Sequence, residues 1–89
     1  MEFEWSEAKR LAVLAARGLD FIGGQLLFDG RPLYTVASPR GVEERWLSIG
    51  ELNGRLTAVV WTCRDEIIRI ITMRRARRAE ERRYRALYR

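Results

Sequence analysis

The stretch IIRIITMRRARRAEERRY, residues 67–84, decides the fold, because an apolar run passes directly into an arginine-rich segment. The β-branched first half favours a strand, and the second half holds too few apolar residues to be buried. We therefore predict a strand over residues 67–73 and a helix over residues 77–88. Strict alternation along the strand puts Ile68, Ile70, Thr72 and Arg74 on one face, opposite Ile67, Arg69, Ile71 and Met73.

Upstream of this strand, the sequence predicts three more strands separated by turns. Residues 56–63 precede Asp65 and Glu66, so the two apolar runs around this short turn should pair antiparallel. Asn53-Gly54 is a typical hairpin turn, and it connects residues 45–49 to that strand. A proline-containing turn at residues 38–41 connects residues 33–36 to residues 45–49.

The N-terminal third is predicted to be mainly helical. Residues 3–5 alternate as a short strand, and Ser6 is placed to cap a helix over residues 7–17 that ends at Gly18. Asp20 can cap a second, shorter helix. The order β-α-α-β-β-β-β-α predicts one α+β domain over residues 1–89. We expect a small antiparallel sheet of about four strands, two N-terminal helices and a basic C-terminal helix, in two layers.

The arginines are concentrated at the C-terminus. Residues 74–89 contain eight arginines and two glutamates, a net charge of about +6, whereas the whole chain carries +5. The planar guanidinium suits bidentate contact with phosphate, so a polyanion, most plausibly nucleic acid, is the expected partner. The alternative is a solvated helix that only keeps the protein soluble, and charge alone leaves both interpretations open.

Composition excludes several classes of protein. The chain has 89 residues and no histidine, which removes the usual general base, the usual zinc ligand and the common catalytic triads. The single cysteine, Cys63, excludes an internal disulfide, fits a reducing cytosol, and is predicted to be a small buried residue. No apolar run is long enough to span a bilayer, and the acidic N-terminus does not resemble a signal peptide. We expect a cytoplasmic protein with no metal site.

Two further groups of residues have more than one interpretation. Arg64 ends the strand before the turn, so a local concentration of Arg64, Arg69 and Arg74 is plausible. Alternatively, Arg69 lies at a sheet edge with only its charged end in water. The three tryptophans lie on predicted strands and are expected to be structural.

Several segments resemble, in order, the motifs of BrnT-type toxins of the RelE-like superfamily. FEWSEAK (3–9) is similar to their aromatic strand and Trp-Asp-x-x-Lys pattern, and RGLDF (17–21) to Lys-His-Gly-x-x-Phe. ERWLSIG (44–50) and VVWTCR (59–64) resemble their Glu-Arg-aliphatic-x-aliphatic-Gly and Val-Val-x-Thr-x-Arg strands. The most specific match is IRIITMRRA (68–76), followed by ER (81–82) and Tyr84. Ser6 and Arg17 depart from the pattern, because many members carry aspartate and histidine at these positions.

The resemblance implies a ribonuclease toxin of a type II toxin–antitoxin system, which blocks translation. It implies a BrnA-like antitoxin as partner, with operator DNA bound only through the complex. The expected fold is a small antiparallel sheet with helices on one face.

RNA supplies its own nucleophile, the 2′-hydroxyl, so we expect cleavage without a metal or another cofactor, driven by a cluster of cations. Lys9 could contact phosphate or donate a proton to the leaving 5′-oxygen, and Tyr84 could stack on a base or belong to the core. The catalytic candidates are Lys9, Arg64, Arg74 and Arg77. The substrate-binding candidates are Arg17, Arg69, Arg78 and Tyr84. Two alternatives remain, a non-catalytic nucleic-acid-binding module and a protein-interaction subunit that docks an acidic partner.

Overall fold

The computed structural model describes residues 1–38 and 44–88, and it has the predicted order of elements. The strands are β1 (Glu2–Glu4), β2 (Tyr34–Ser38), β3 (Arg45–Leu52), β4 (Arg55–Arg64) and β5 (Ile67–Arg75). The helices are α1 (Glu7–Arg17), α2 (Phe21–Gly24), which continues as a 3₁₀ turn (Gln25–Phe28), and α3 (Arg78–Leu87). The predicted turn at residues 38–41 falls mostly on residues outside the described part of the chain.

The sheet is mixed, which corrects the expectation of an antiparallel sheet of about four strands. Its five strands have the order β1-β5-β4-β3-β2, and β1 pairs with β5 in parallel while the other pairs are antiparallel. β1 is only three residues long and pairs with Ile67, Ile68 and Arg69. The rest of the outer edge of β5 has no strand partner among the described residues, and α1 packs beside it.

Helices pack on both faces of the sheet, so the protein has three layers rather than the expected two. On one face, residues of α1 and α2 pack against Val59, Ile70 and Met73. On the other face, Tyr84 of α3 packs against Ile49, Leu56 and Ala58. Ala58 and Val59 are neighbours on β4, so they must point to opposite faces.

A β-bulge in β5 overturns the predicted alternation. Val60 pairs with Thr72 and Trp61 pairs with Ile70, which leaves Ile71 as an extra residue on β5. Ile70 and Met73 are consequently buried on the same face, although strict alternation would separate them. The bulge turns Thr72 and Arg74 to the opposite face, which is also the face of Arg69.

Cys63 is exposed, so the prediction that it is buried was wrong. It lies near the end of β4, where it pairs with Ile68 of β5. Trp5 and Trp61 have the expected structural roles, since both pack against the core. Trp5 packs edge-on against Phe21 with the ring centroids 6.4 Å apart, and the indole N–H of Trp61 donates to Ser48 Oγ at 2.9 Å.

The β4–β5 turn offers a direct test of backbone strain. Asp65 and Glu66 have φ values of 50° and 67°, a left-handed conformation that favours glycine at the second position of such hairpins. We expect Glu66→Gly to stabilise the protein by about 0.5–1 kcal/mol, raising the melting temperature in thermal unfolding. Glu66→Ala is the control, because it removes the same side chain and keeps the strain. Equal effects of the two substitutions would contradict this account.

Candidate nucleic-acid interface

A groove lies on the sheet face that carries α3, in the area that α3 leaves uncovered. Its volume is about 420 Å³, and Leu47, Val60 and Thr72 line its floor. Around them it is lined by cationic residues from three elements of the fold, by one arginine between β5 and α3, and by one serine. These are Lys9 and Arg17 of α1, Arg45 of β3, Arg74 of β5, Arg77 immediately before α3, and Ser38. We call this the basic groove.

Helix α1 brings Lys9 and Arg17 to the basic groove. Ser6 Oγ caps α1 by accepting the Lys9 backbone N–H at 3.2 Å, and Gly18 ends it with φ 69°. At this end, Arg17 Nη1 donates to the Met73 carbonyl oxygen at 2.7 Å. Arg17 thus satisfies a backbone acceptor of β5 and ties the end of α1 to the sheet.

Arg74 is held by a carboxylate. Its two terminal nitrogens donate to the two carboxylate oxygens of Glu80, both at 2.8 Å, and Glu80 also accepts the Arg77 backbone N–H at 2.8 Å. The hydrogen bonds from Arg74 lower the pKa of Glu80, and the same pair raises the pKa of Arg74. The two side chains are 22% and 15% exposed, so Glu80 fixes Arg74 in a partly dehydrated position.

Three cations of the basic groove have no side-chain partner among the described residues. Within residues 1–38 and 44–88, the side chains of Lys9, Arg45 and Arg77 make no hydrogen bond or salt bridge. Arg45 Nε is also buried without a partner there. An unpaired buried donor is costly, so an anion bound in the groove would be favoured at this place.

Arg45 was missed by the sequence reasoning, which concentrated on the C-terminal arginines. One signal was available, because Arg45, Leu47 and Ile49 alternate along β3 and so share a face. The groove face therefore has a guanidinium at the beginning of β3.

The other candidate residues lie elsewhere. Arg64 pairs with Ile67 at the turn end of β4 and does not line the basic groove; it lies about 20 Å along the sheet from the position opposite Arg74. Tyr84 is 8% exposed and belongs to the core, the alternative that the sequence had left open. Arg78 is exposed on α3 and does not line the groove.

Arg69 lies in a second hollow that adjoins the first. This hollow, about 240 Å³, is lined by Ser6, Lys9, Arg45, Arg69, Ile70 and Ile71, so the two cavities share Lys9, Arg45 and Ile71. Arg69 Nη1 donates to Glu4 Oε2 at 3.2 Å, and both side chains are nearly half exposed. Such an exposed pair is weak, which leaves Arg69 able to change partner.

The described part of the chain contains no group of three or more His, Cys, Asp or Glu residues placed to hold a metal ion. Nor does it contain a single helix long and apolar enough to cross a membrane; only the bent pair Glu7–Arg17 and Phe21–Phe28 passes on length and composition. The groove residues themselves are cations, which bind anions rather than metals.

The fold and the groove define a small α+β protein with cations gathered over one open sheet face, a site suited to a phosphodiester. A family model described as "Ribonuclease toxin, BrnT, of type II toxin-antitoxin system" matches residues 5–80. The chain therefore belongs to the BrnT family of ribonuclease toxins. No curated protein matches it.

The ion pair between Glu80 and Arg74 predicts that the free energy of unfolding depends on pH. We expect Glu80→Gln to lower the free energy of unfolding at pH 7 by about 1–3 kcal/mol, because Arg74 loses its charged partner. The pKa of Glu80 is lowered in the folded state, so the pair contributes fully above the unfolded pKa of about 4.3. This contribution is lost as the pH falls through the lower folded pKa. Denaturant unfolding of both proteins at several pH values measures the difference.

Glu81→Gln is the matched control, since it makes the same charge change at the next residue, away from Arg74. If the two variants lose the same stability at pH 7, or if the Glu80→Gln deficit persists unchanged in acid, the ion pair does not have this role.

Proposed function

We propose that this protein cleaves RNA in the basic groove, without a metal ion, and that Lys9, Arg45 and Arg77 bind the scissile phosphate. The observation that carries the proposal is the meeting of three uncommitted cations with two held arginines, Arg17 and Arg74, over one sheet face. Membership of a ribonuclease family supports the reaction class. The role of these residues is our inference from their geometry.

The proposed reaction uses the 2′-hydroxyl of the substrate as nucleophile. Its oxygen attacks the adjacent phosphorus in line while the bond to the 5′-oxygen breaks, which yields a 2′,3′-cyclic phosphate and a 5′-hydroxyl. The proton of the 2′-hydroxyl passes to a solvent water molecule, and the 5′-oxygen must receive a proton in turn. Lys9 is the only lysine in the chain and the one ammonium at the groove, and we assign it the donation to the 5′-oxygen.

The arginines supply electrostatic stabilisation rather than proton transfer. A guanidinium remains protonated at neutral pH, so Arg45 and Arg77 can donate hydrogen bonds to the phosphate but cannot act as bases. Negative charge on the phosphate oxygens grows during attack, and donors already held in place stabilise it without reorganisation. Glu80 supplies that preorganisation for Arg74.

In the cell, the proposed consequence is inhibited translation in the cytoplasm, neutralised by a BrnA-like antitoxin. Type II toxins are paired with a protein antitoxin, so the family implies such a partner as well as an RNA substrate. We propose that operator DNA is contacted only through the complex. Co-expression of the adjacent reading frame should relieve growth arrest caused by this chain alone.

The decisive test is cleavage of RNA by the purified protein in excess EDTA. We expect new RNA ends in the wild type, none at a 2′-deoxy position, and a loss of kcat/KM of about tenfold or more in each of Lys9→Ala, Arg45→Gln and Arg77→Gln. Arg83→Gln is the control, because it removes an exposed charge of α3 that does not line the groove.

The possible results separate the candidate functions. If the protein binds RNA in a salt-sensitive way but produces no new RNA ends, the protein is a nucleic-acid-binding module and not a ribonuclease. Undiminished cleavage by Lys9→Ala would remove Lys9 from the mechanism. Equal losses in the groove variants and in Arg83→Gln would show that only net charge matters.

A further inference from the structure

The second hollow continues the basic groove, and together the two cavities form one track across the sheet. Both are lined by Lys9, Arg45 and Ile71. Arg77 lines only the first cavity and Arg69 only the second. The shared pair of cations is thus flanked by a separate arginine on each side.

The bulge at Ile71 makes this track possible. Arg69 and Arg74 are five residues apart on β5, so regular alternation would put them on opposite faces. With one extra residue between them they share a face, about 15 Å apart along the strand. This span is longer than one step between neighbouring phosphates of a single strand, so it fits more than one phosphate.

We infer that the track binds an extended single strand of RNA by successive phosphates, with Arg69 as the contact for a phosphate next to the scissile one. The inference rests on the proposed function. The scissile phosphate lies at Lys9 and Arg45, which both cavities share, and Arg77 contacts it from the first cavity. The next phosphate lies toward Arg69 in the second cavity. Arg69 is a binding residue and takes no part in proton transfer.

The surroundings of Arg69 allow a phosphate to replace Glu4 as its partner. Its present partner, Glu4, is 48% exposed, and Arg69 itself is 44% exposed, so water weakens the attraction between them. A phosphate entering the second hollow competes for the same guanidinium and meets Lys9 and Arg45 as well. Glu4 then opposes binding, because it is the carboxylate at that end of the track.

The test measures binding of oligonucleotides that cannot be cleaved. RNAs of two to six nucleotides, methylated at every 2′-oxygen, are titrated against the wild type, Arg69→Gln, Glu4→Gln and Arg83→Gln by fluorescence anisotropy. Wild-type affinity should rise from two to about four nucleotides and then level off. Arg69→Gln should leave the dinucleotide unchanged and weaken the tetranucleotide about three- to tenfold.

Salt dependence identifies the lost contact as a phosphate. For the tetranucleotide, the slope of log affinity against log salt should fall by about 0.7 in Arg69→Gln, the value for one phosphate of a single strand. Glu4→Gln should strengthen tetranucleotide binding about twofold, because it frees Arg69. This opposite effect also guards against a variant that is merely misfolded.

Three outcomes would overturn the inference. One is affinity that does not depend on length, and another is an equal loss in Arg69→Gln and the control Arg83→Gln. The third is a weakening of the dinucleotide by Arg69→Gln as large as that of the tetranucleotide. Failure of catalysis is a separate result, since length-dependent binding through Arg69 would stand even if unmodified RNA were left uncut.

Discussion

One extra residue in β5 determines which side chains of that strand face the open side of the sheet. Without the bulge at Ile71, Thr72 and Arg74 would point into the apolar layer beneath α1 and α2, and Met73 would point toward the groove. A guanidinium without partners in that layer would be strongly destabilising, whereas Met73 fills it with no exposed surface. The bulge therefore satisfies both needs, because it keeps the apolar side chains in the core and gathers Arg69 and Arg74 on one open face.

Gathering cations on a protein that already carries +5 has an electrostatic cost, and the groove limits it by giving some of them partners. Arg74 has the Glu80 carboxylate, Arg69 has Glu4, and Arg17 has the Met73 carbonyl oxygen. The contacts of Arg74 and Arg17 hold these two guanidiniums in place in the free protein, whereas the exposed pair of Arg69 with Glu4 is weak. Lys9, Arg45 and Arg77 have no such partner within the described residues, so it is they that gain most when an anion arrives. The groove thus combines guanidiniums held by protein partners with three cations that have no partner within the described residues.

Local signals predicted the local structure well. Helix α1 begins after Ser6 and ends before Gly18, as expected. Asn53-Gly54 forms the expected turn, and the φ values of both residues are positive. These features depend on a few neighbouring residues and on caps whose chemistry is short in range. The strands extend beyond their predicted ends, as β3 does to Leu52, because pairing with a neighbour adds residues that their own propensity does not demand.

Features that depend on distant contacts could not be predicted in this way. Ile70 and Ile71 are both apolar, so the sequence gives no sign of which one is the extra residue of the bulge. The parallel pairing of β1 with β5 joins residues more than sixty positions apart, and nothing in either segment specifies it. Arg45 lies outside the charged tail, and the position of β3 between β2 and β4 in the sheet brings it to the groove.

The absence of histidine limits the chemistry and indicates where catalytic power would come from. Arg17 uses its guanidinium to donate a hydrogen bond to the sheet, and a guanidinium does not act as a base. Glu80, whose pKa is lowered by Arg74, is a weak base. Charge stabilisation is then the main resource of the groove. A phosphodiester carries one negative charge and its pentacoordinate transition state carries nearly two, so fixed cations bind the transition state more tightly than the substrate. On the proposed mechanism, such a groove would accelerate the reaction even if water carried most of the proton transfer.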